Sequence, residues 1–410
     1  MKKFFALLLS LAMVLALVAC GQKDPTPDTP DTPDDPQTKV EYKVAMITDY
    51  GDITDQSFNQ TTYEACKAFA EDNSIEFSYF KPAGDNTADR VAMIEKAVDE
   101  GFNVIVMPGY AFGGAIVEAA PEFPDVKFIA LDVAAGDLLE TAVAKAGEAY
   151  DYTPEKWDLN KYVDMSNVYC AVYQEELCGY MAGYAAVKLG YKNLGFLGGM
   201  SVPAVVRYGY GFVQGVDAAA ADLGLTDVKL NYIYGGQFFG DADITAVMDT
   251  WYQGGTEVVF ACGGGIYTSA VDAAKKVGAK VIGVDVDQAG VIANYAGVDG
   301  MTVTSAMKGL YPATYDTLTD VIVNGNWEKY VGKIETLGLV SGTDPEANYV
   351  QIPMGDGTQW SDSFTQDDYK AMVKDMFDGK ITVSNNTSSD VSAADFATVI
   401  TVDDQGSIKG

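Results

Sequence analysis

From residue 43 onward, short apolar runs alternate with longer stretches whose apolar residues recur every three or four positions. The short runs predict buried strands and the longer stretches predict helices. The predicted strands are Val44–Ile47, Glu76–Tyr79, Val104–Met107, Lys127–Leu131, Asn167–Val172, Asn193–Leu197, Lys229–Tyr234, Val258–Ala261, Lys280–Val284, Met301–Ser305, Lys333–Leu337 and Tyr349–Ile352. The predicted helices are Thr62–Glu71, Ala88–Asp99, Gly114–Ala120, Glu175–Leu189, Val205–Asp222, Asp243–Tyr252, Tyr267–Val277 and Gln366–Asp378. Because such alternation is typical of parallel sheets with right-handed crossovers, the sequence predicts an α/β fold.

The alternation restarts part-way along the chain, which predicts two similar Rossmann-like lobes with a ligand cleft between them. We expect the first lobe over residues 41–164 and the second over residues 165–288. Residues 289–340 are expected to return to the first lobe, and residues 341–410 to lie mostly on the second. The polar stretch Gly136–Asp164 has no clear period, and we expect it to be irregular and to hold the first crossing between lobes.

The first forty residues have the composition of an export signal followed by a linker. Two lysines precede the apolar run Phe4–Ala19, which ends at Cys20 in a sequence that resembles a bacterial lipobox. We therefore predict a signal peptide over residues 1–20 and lipidation of Cys20. Residues 21–40 are rich in Pro, Asp and Thr, which predicts a disordered tether. The expected location is the extracellular face of a cell membrane, Gram-positive in preference to periplasmic.

The charge balance excludes several classes of function. The chain of 410 residues has a net charge of −31, so it repels nucleic acid and anionic membranes. It contains no histidine, which excludes Ser-His-Asp and Cys-His catalysis as well as His-ligated zinc. No phosphate-binding Gly-x-x-x-x-Gly-Lys-Ser/Thr loop occurs. We expect no catalytic residue, no metal site and no cofactor.

Cys66, Cys170, Cys178 and Cys262 lie in apolar surroundings without Cys-x-x-Cys spacing. Buried free thiols are the expected state, although export permits a disulfide.

Polar residues and glycines follow the predicted strands at the point where each strand ends. Asp49, Asp132 and Asp285 each follow an apolar strand, a glycine run that includes Gly263 follows another, and Lys308 follows the strand Met301–Ser305. In open α/β sheets, ligands bind outside the carboxyl ends of the strands. Carboxylates there suit the hydroxyl groups of a neutral sugar. Because these residues occur together at the ends of the predicted strands, the sequence predicts a polar cleft between the lobes.

Two aromatic residues are candidates for sandwiching a planar group. Phe58 lies in a loop between a strand and a helix, and Tyr208 lies in a helical stretch where packing in the core is the competing interpretation. Stacking of a base on an aromatic ring contributes about 1–3 kcal/mol.

Eight segments resemble, in order, the basic membrane protein (PnrA-like) family of purine-nucleoside-binding lipoproteins that serve ABC importers. They are TDYGDITDQSFNQ, VIVMPGY, FIALDV, VYQEELCGYMAGY, LGFLGGMSVPAVVRYGYGFVQG, ACGGGIYTSAVDAAK, VIGVDVDQ and TSAMK. The resemblance covers about Lys43 to Lys308 and implies a type I periplasmic-binding-protein fold. The acidic composition departs from the family's name, but it concerns the surface and not the cleft.

The resemblance also implies roles for individual residues. Phe58 and Tyr208 would stack on the two faces of the base, and Tyr208 stands where the family usually has Phe. Asn59 and Asp132 would hydrogen-bond the edge of the base. The ribose hydroxyls would be held by Asp49, the backbone of Gly263, Asp285 and Lys308. Asp287 is the alternative to Asp285, because alternation in an extended segment points both to the same side.

The predicted function is capture of nucleosides, with purines favoured, by closure of the lobes and delivery to an ABC permease and its ATPase subunits. We expect a monomer, anchored to the membrane through Cys20. A binder of free sugars or autoinducer-type ligands is the alternative in the same class. A nucleoside hydrolase with a metal bound by Asp49, Asp52 and Asp55, and a purely structural surface protein, are the alternatives from other classes.

Overall fold

The computed structural model of the protein describes residues 41–409. The predicted signal peptide, the lipidated Cys20 and the tether fall on residues 1–40, outside the described residues. The strands in the described part are β1 Lys43–Ile47, β2 Glu76–Phe80, β3 Val104–Pro108, β4 Lys127–Leu131, β5 Val168–Tyr173, β6 Asn193–Gly198, β7 Lys229–Tyr234, β8 Val258–Cys262, β9 Lys280–Asp285, β10 Thr302–Lys308, β11 Ile334–Leu337, β12 Val350–Gln351 and β13 Thr401–Ser407.

The helices surround these strands. They are α1 Phe58–Asn73, α2 Thr87–Asp99, α3 Gly113–Ala119, α4 Ala135–Lys145, α5 Leu159–Tyr162, α6 Glu175–Lys188, α7 Pro203–Leu223, α8 Ala242–Gln253, α9 Tyr267–Val277, α10 Ala289–Ala296, α11 Leu310–Leu318 and α12 Gln366–Phe377. Each helix and strand predicted from the sequence overlaps one of these elements, with bounds shifted by a few residues.

The strands form two sheets, each the centre of one lobe. The first lobe has a six-stranded parallel sheet in the order β11-β5-β4-β3-β1-β2. The second has a seven-stranded sheet in the order β12-β10-β9-β8-β6-β7-β13, in which only β12 runs antiparallel to its neighbour. The central strands are almost wholly buried, as expected for parallel sheets covered by helices on both faces. The predicted α/β fold with two Rossmann-like sheets is confirmed.

Two strands lie in the other sheet from the one predicted. β5, assigned to the second lobe by the range 165–288, pairs with β4 in the first sheet. β10, expected to return to the first lobe with residues 289–340, pairs with β9 in the second sheet. The chain therefore passes between the sheets after β5, after β10 and after β11. An apolar strand buried on both faces carries no sign of which sheet it joins, so periodicity could not decide this.

The stretch Gly136–Asp164 was also predicted incorrectly. It holds α4 and α5, and it joins β4 to β5 within the first sheet instead of crossing between lobes. The helix α4 begins where the Asp137 carboxylate accepts the N–H of Ala134 at 2.7 Å. This contact satisfies one backbone N–H at the helix start and stabilises the first turn.

Helices α6 and α7 pack closely because glycines face the partner helix's backbone. A Cβ on Gly179 would lie 2.3 Å from the carbonyl oxygen of Tyr208, and one on Gly211 would lie 2.1 Å from that of Glu176. The same is true of Gly183. This glycine seam fixes the first turns of both helices beside the ends of the strands, where the site lies.

The four cysteines of the described region, Cys66, Cys170, Cys178 and Cys262, are free and buried. The expectation of buried thiols is confirmed. No helix among residues 41–409 has the length and apolar character needed to cross a membrane.

Candidate ligand-binding site

A cavity of about 360 Å³ lies at the carboxyl ends of the strands, with walls from both lobes. Residues that the sequence singled out are brought together here: Asp49, Phe58, Asn59, Asp132, Tyr208, Gly263, Asp285 and Lys308 all line it. The geometry shows their position. Their roles toward a ligand stay predictions.

Asp49 is fixed at the end of β1 by its own loop. Its carboxylate accepts the N–H groups of Tyr50 at 2.6 Å and Gly51 at 2.8 Å, and its carbonyl oxygen accepts Arg90 Nε at 3.2 Å. A Cβ on Gly109 would come within 2.7 Å of the carboxylate, so the glycine after β3 makes room for it. Burial raises the pKa of Asp49, although the two backbone N–H groups lower it.

The first turn of α1 presents Phe58 and Asn59 to the cavity. Asp55 organises this turn, because its carboxylate accepts the N–H of Ser57 at 2.9 Å, of Asn59 at 2.9 Å and of Gln60 at 3.1 Å. It also accepts Asn59 Nδ2 at 3.1 Å, which fixes the amide orientation. Asn59 Oδ1 is buried and has no hydrogen-bond partner among residues 41–409. This acceptor is therefore available to a donor in the cavity.

Asp285 joins the two lobes from the end of β9. Its carboxylate accepts Ser57 Oγ of the first lobe at 2.6 Å and the hydroxyl of Tyr208 at 3.2 Å. Asp287 is exposed, accepts the N–H of Ala289 at 3.0 Å and does not line the cavity. The backbone φ of Asp285 is +65°, which breaks the extended alternation. The assumption that the two carboxylates share one side was therefore wrong.

Lys308 lies at the centre of a buried ionic network. Its ammonium contacts Asp132 across the cleft, Glu175 Oε1 at 3.4 Å and Asp285 Oδ1 at 3.8 Å. Glu175 is also paired with Arg207, 2.6 Å away. Burial on its own would lower the pKa of Lys308, but the carboxylates of Asp132, Asp285 and Glu175 raise it.

Asp132 keeps one oxygen for the cavity. Burial raises its pKa to about 6, although the positive charge of Lys308 lowers it. Its Oδ2 binds Lys308, whereas Oδ1 is buried without a hydrogen-bond partner in the described part of the chain. Its φ of +60° turns the carboxylate away from the line of β4.

Aromatic rings surround the same ammonium. The centroids of Phe58, Tyr173 and Tyr208 lie 4.7, 5.3 and 5.6 Å from Lys308 Nζ. Tyr208 is 1% exposed and packs edge-on against Phe260. It is thus a core residue that also lines the cavity, and its stacking on a base stays a prediction.

Sequence reasoning missed several residues of the site. Glu175 and Arg207 hold the ionic network, Ser57 bridges to Asp285, and Phe238 lines the cavity from the loop after β7. Applying the strand-end rule to β5 and β7 would have indicated Glu175 and Phe238. Ser57 carries no comparable signal, since its partner is 228 positions away.

The arrangement does not fit a metal site. Asp52 is paired with Lys81 at 2.9 Å, and Asp55 is occupied by the first turn of α1. In the part of the chain that the structure describes, no group of His, Cys, Asp or Glu is placed to hold a metal ion. The alternative of a metal bound by Asp49, Asp52 and Asp55 therefore has no support.

Residues 42–343 match the model of a known family, described as ABC transporter substrate-binding protein PnrA-like. This protein belongs to that family. Its members are substrate-binding proteins and not enzymes, and a membrane permease is therefore a partner of this chain. Residues 344–410, which include β12 and β13, lie beyond the matched residues.

Relatives and solved structures agree with the family. The ABC transporter nucleoside-binding protein BmpA of Lactococcus lactis subsp. cremoris is 25% identical over 392 residues, which cover 92% of this chain and 96% of the relative. An uncharacterised lipoprotein of Pyrococcus abyssi is 26% identical over 320 residues, which cover 74% of this chain and 69% of the relative. An ABC transporter solute-binding protein from Aeropyrum pernix K1 has the same fold, with a TM-score of 0.60 at 20% identity over 84% of this chain and 88% of that one.

Proposed function

We propose that this protein captures a nucleoside, with a purine base favoured, in the cavity between its lobes and delivers it to an ABC permease driven by ATPase subunits. The main support is a pair of buried acceptors at the cavity, Asn59 Oδ1 and Asp132 Oδ1, which have no hydrogen-bond partner among residues 41–409. A buried acceptor left unpaired costs about 1–3 kcal/mol, so a ligand with N–H groups on a planar edge gains from meeting both.

The remaining walls fit the rest of a nucleoside. Phe58 and Tyr208 provide rings for the base, and Asp49 and Asp285 provide carboxylates for ribose hydroxyls. Three carboxylates, those of Asp132, Glu175 and Asp285, lie around the single ammonium of Lys308. This excess of negative charge disfavours binding of a phosphate group. These features support an uncharged nucleoside over a nucleotide.

Contacts across the cleft support closure of the lobes around the ligand. Ser57 Oγ donates to Asp285 Oδ2, Gln288 Nε2 donates to the carbonyl oxygen of Gln56 at 3.1 Å, and Lys308 pairs with Asp132. Binding free energy that exceeds the cost of domain closure would drive this motion. The lipobox and the relatives named as lipoproteins support anchoring through Cys20 on the extracellular face.

Isothermal titration with inosine, guanosine, adenosine, cytidine, adenine, ribose and inosine monophosphate tests this proposal. We expect the purine nucleosides to bind at least tenfold more tightly than adenine, ribose or the nucleotide. Ribose binding as tightly as inosine would support the sugar-binding alternative instead. Absence of binding by every nucleoside would refute the proposal. Mass analysis of the mature N-terminus tests lipidation of Cys20.

A further inference from the structure

Phe238 reaches the cavity from a loop that does not contain any residue predicted from the sequence to bind the ligand. This loop, residues 235–241, follows β7 and is called the cleft loop here; Phe238 and Phe239 both line the cavity. The Phe238 ring lies so close to Gly199 that a Cβ there would be 2.4 Å away, and its centroid is 6.4 Å from that of Tyr50 in the first lobe. Phe238 therefore forms a wall of the second lobe that faces the first.

The strand β13 runs beside β7 and ends at the cleft loop. The pairing extends from Thr401 opposite Lys229 to Ser407 opposite Tyr234, and the N–H of Ile408 donates to the carbonyl oxygen of Tyr234 at 2.8 Å. The strand is anchored at its start, because Asp217 of α7 accepts the N–H groups of residues 398–400. The chain after Ser407 is therefore delivered to a defined place.

Lys409 contacts two residues of the cleft loop. Its ammonium pairs with Asp241 and donates to Gln237 Oε1 at 2.8 Å, so it bridges positions 237 and 241 of the loop. Gln237 Nε2 in turn donates to Asp241 Oδ2 at 3.0 Å and to the carbonyl oxygen of Phe239 at 2.9 Å. The Phe238 carbonyl oxygen accepts the N–H of Gly265 at 2.9 Å, which ties the loop to the glycine run beside Gly263.

We propose that Lys409 is a positioning residue, which holds the cleft loop so that Phe238 keeps its place in the cavity wall and slows release of the ligand. The part of this proposal that concerns release rests on the proposed function, whereas the part that concerns the loop stands on the contacts alone. β13 and Lys409 lie beyond residues 42–343, the part of the chain that matches the family model.

Lys409→Ala tests the proposal, with Lys409→Arg as the conservative variant and Lys380→Ala as the control. Lys380 forms an exposed ion pair with Asp375 at the end of α12 and has the same kind of partner without touching the cleft loop. Hydrogen–deuterium exchange of the unliganded protein gives a readout that needs no ligand. Stopped-flow dissociation of inosine, with guanosine as a second probe, gives the release rate.

In Lys409→Ala we expect amide exchange in residues 235–241 and at Gly265 to rise about fivefold, and nucleoside dissociation to become three- to fivefold faster, as suits one partly exposed ion pair. Lys409→Arg and Lys380→Ala should match the unmodified protein. Unchanged exchange in the cleft loop, a rise spread equally over the whole chain, or faster exchange without faster release would overturn the proposal. If the unmodified protein binds neither probe, the proposed function fails, and the exchange data alone decide whether Lys409 positions the loop.

Discussion

At the scale of single residues, Asp132 couples the cavity to pH. Burial raises its pKa to about 6, although Lys308 lowers it, so this carboxylate takes up a proton at a higher pH than an ordinary aspartate does. The protonated form accepts less well, so we expect inosine affinity to fall about tenfold between pH 7.5 and pH 5. Isothermal titration across this range measures the change.

Asp132→Asn is the matched control, because it keeps the shape and removes the titration. Its affinity at pH 7.5 should be about 10- to 100-fold weaker, as for loss of hydrogen bonds to a charged acceptor. It should also vary little between pH 5 and 7.5. An equally steep pH dependence in the variant would show that another group titrates.

Glu175 is the residue on which the ionic network depends. Removing it leaves Arg207 and Lys308 buried without the carboxylate that lies between them. Breaking a buried ion pair costs about 3–5 kcal/mol, and we expect Glu175→Ala to lower the free energy of unfolding by this amount in urea titration. Asp227→Ala, which breaks the exposed pair with Lys192, should cost less than about 1 kcal/mol. Similar losses in both variants would contradict this interpretation.

The eight residues named from the sequence all line one cavity. Five follow or end strands whose carboxyl ends meet at one edge of each sheet, and Phe58, Asn59 and Tyr208 lie in the helices α1 and α7. Their partners were not predictable in the same way. The interaction of Ser57 with Asp285, and that of Lys308 with Glu175, join residues more than 130 positions apart. The first contact depends on how the two lobes meet, and the second depends on the packing of α6 against β10. The local sequence pattern contains neither.

At the scale of elements, the glycine seam between α6 and α7 decides how closely the helices approach. A Cβ on Gly211 would lie 2.1 Å from the Glu176 carbonyl oxygen, so the helices must separate to admit it. We expect Gly211→Ala to lower the free energy of unfolding by about 1–3 kcal/mol, as for other overpacked cores, and to weaken nucleoside binding by displacing Tyr208.

Gly290→Ala in α10 is the matched control. This glycine is exposed, and a Cβ there meets no atom within 4 Å. Alanine is the better helix former by up to about 1 kcal/mol, so this variant should be slightly more stable than the unmodified chain. Thermal unfolding of both variants separates the two effects. A stable Gly211→Ala protein with unchanged binding would show that the seam has room to adjust.

Elements were easier to predict from the sequence than their neighbours in the sheet. The strands β1, β3, β4 and β8 have continuous apolar runs, which identify them regardless of context. β13 was missed because its sequence, TVDDQGS, has the polar composition of an exposed edge strand and no apolar period. α4 was missed because the polar residues after Ala146 leave the stretch Gly136–Asp164 without one continuous period, although its first part has the apolar period of a helix.

At the scale of the whole molecule, several buried carboxyls make stability depend on pH. Burial raises the pKa of Asp137 and of Glu176 to about 7 each, and that of Asp132 to about 6. The folded protein therefore binds protons more tightly than the unfolded chain between about pH 4 and pH 7. We expect the free energy of unfolding of the unliganded protein to rise by about 4 kcal/mol from pH 7.5 to pH 5.5. Urea titrations at both values measure it.

Glu176→Gln isolates one of these groups. The variant cannot take up a proton at this position, so its gain in stability between pH 7.5 and pH 5.5 should be smaller than that of the unmodified protein. Below about pH 4 the trend should reverse, because Asp217, whose hydrogen bonds to residues 398–400 lower its pKa, then becomes protonated. Stability that falls steadily from pH 7.5 to pH 5.5 would contradict the assignment.

The buried state of the four thiols has a practical consequence. Burial raises the pKa of Cys66, Cys170, Cys178 and Cys262, and a thiol must ionise before it reacts. We therefore expect a recombinant form that begins at residue 41 to react slowly with maleimide without any cysteine being replaced. Cysteines introduced at exposed Lys67 in the first lobe and exposed Val298 in the second would then carry a dye pair, and the separation of the lobes becomes measurable one molecule at a time.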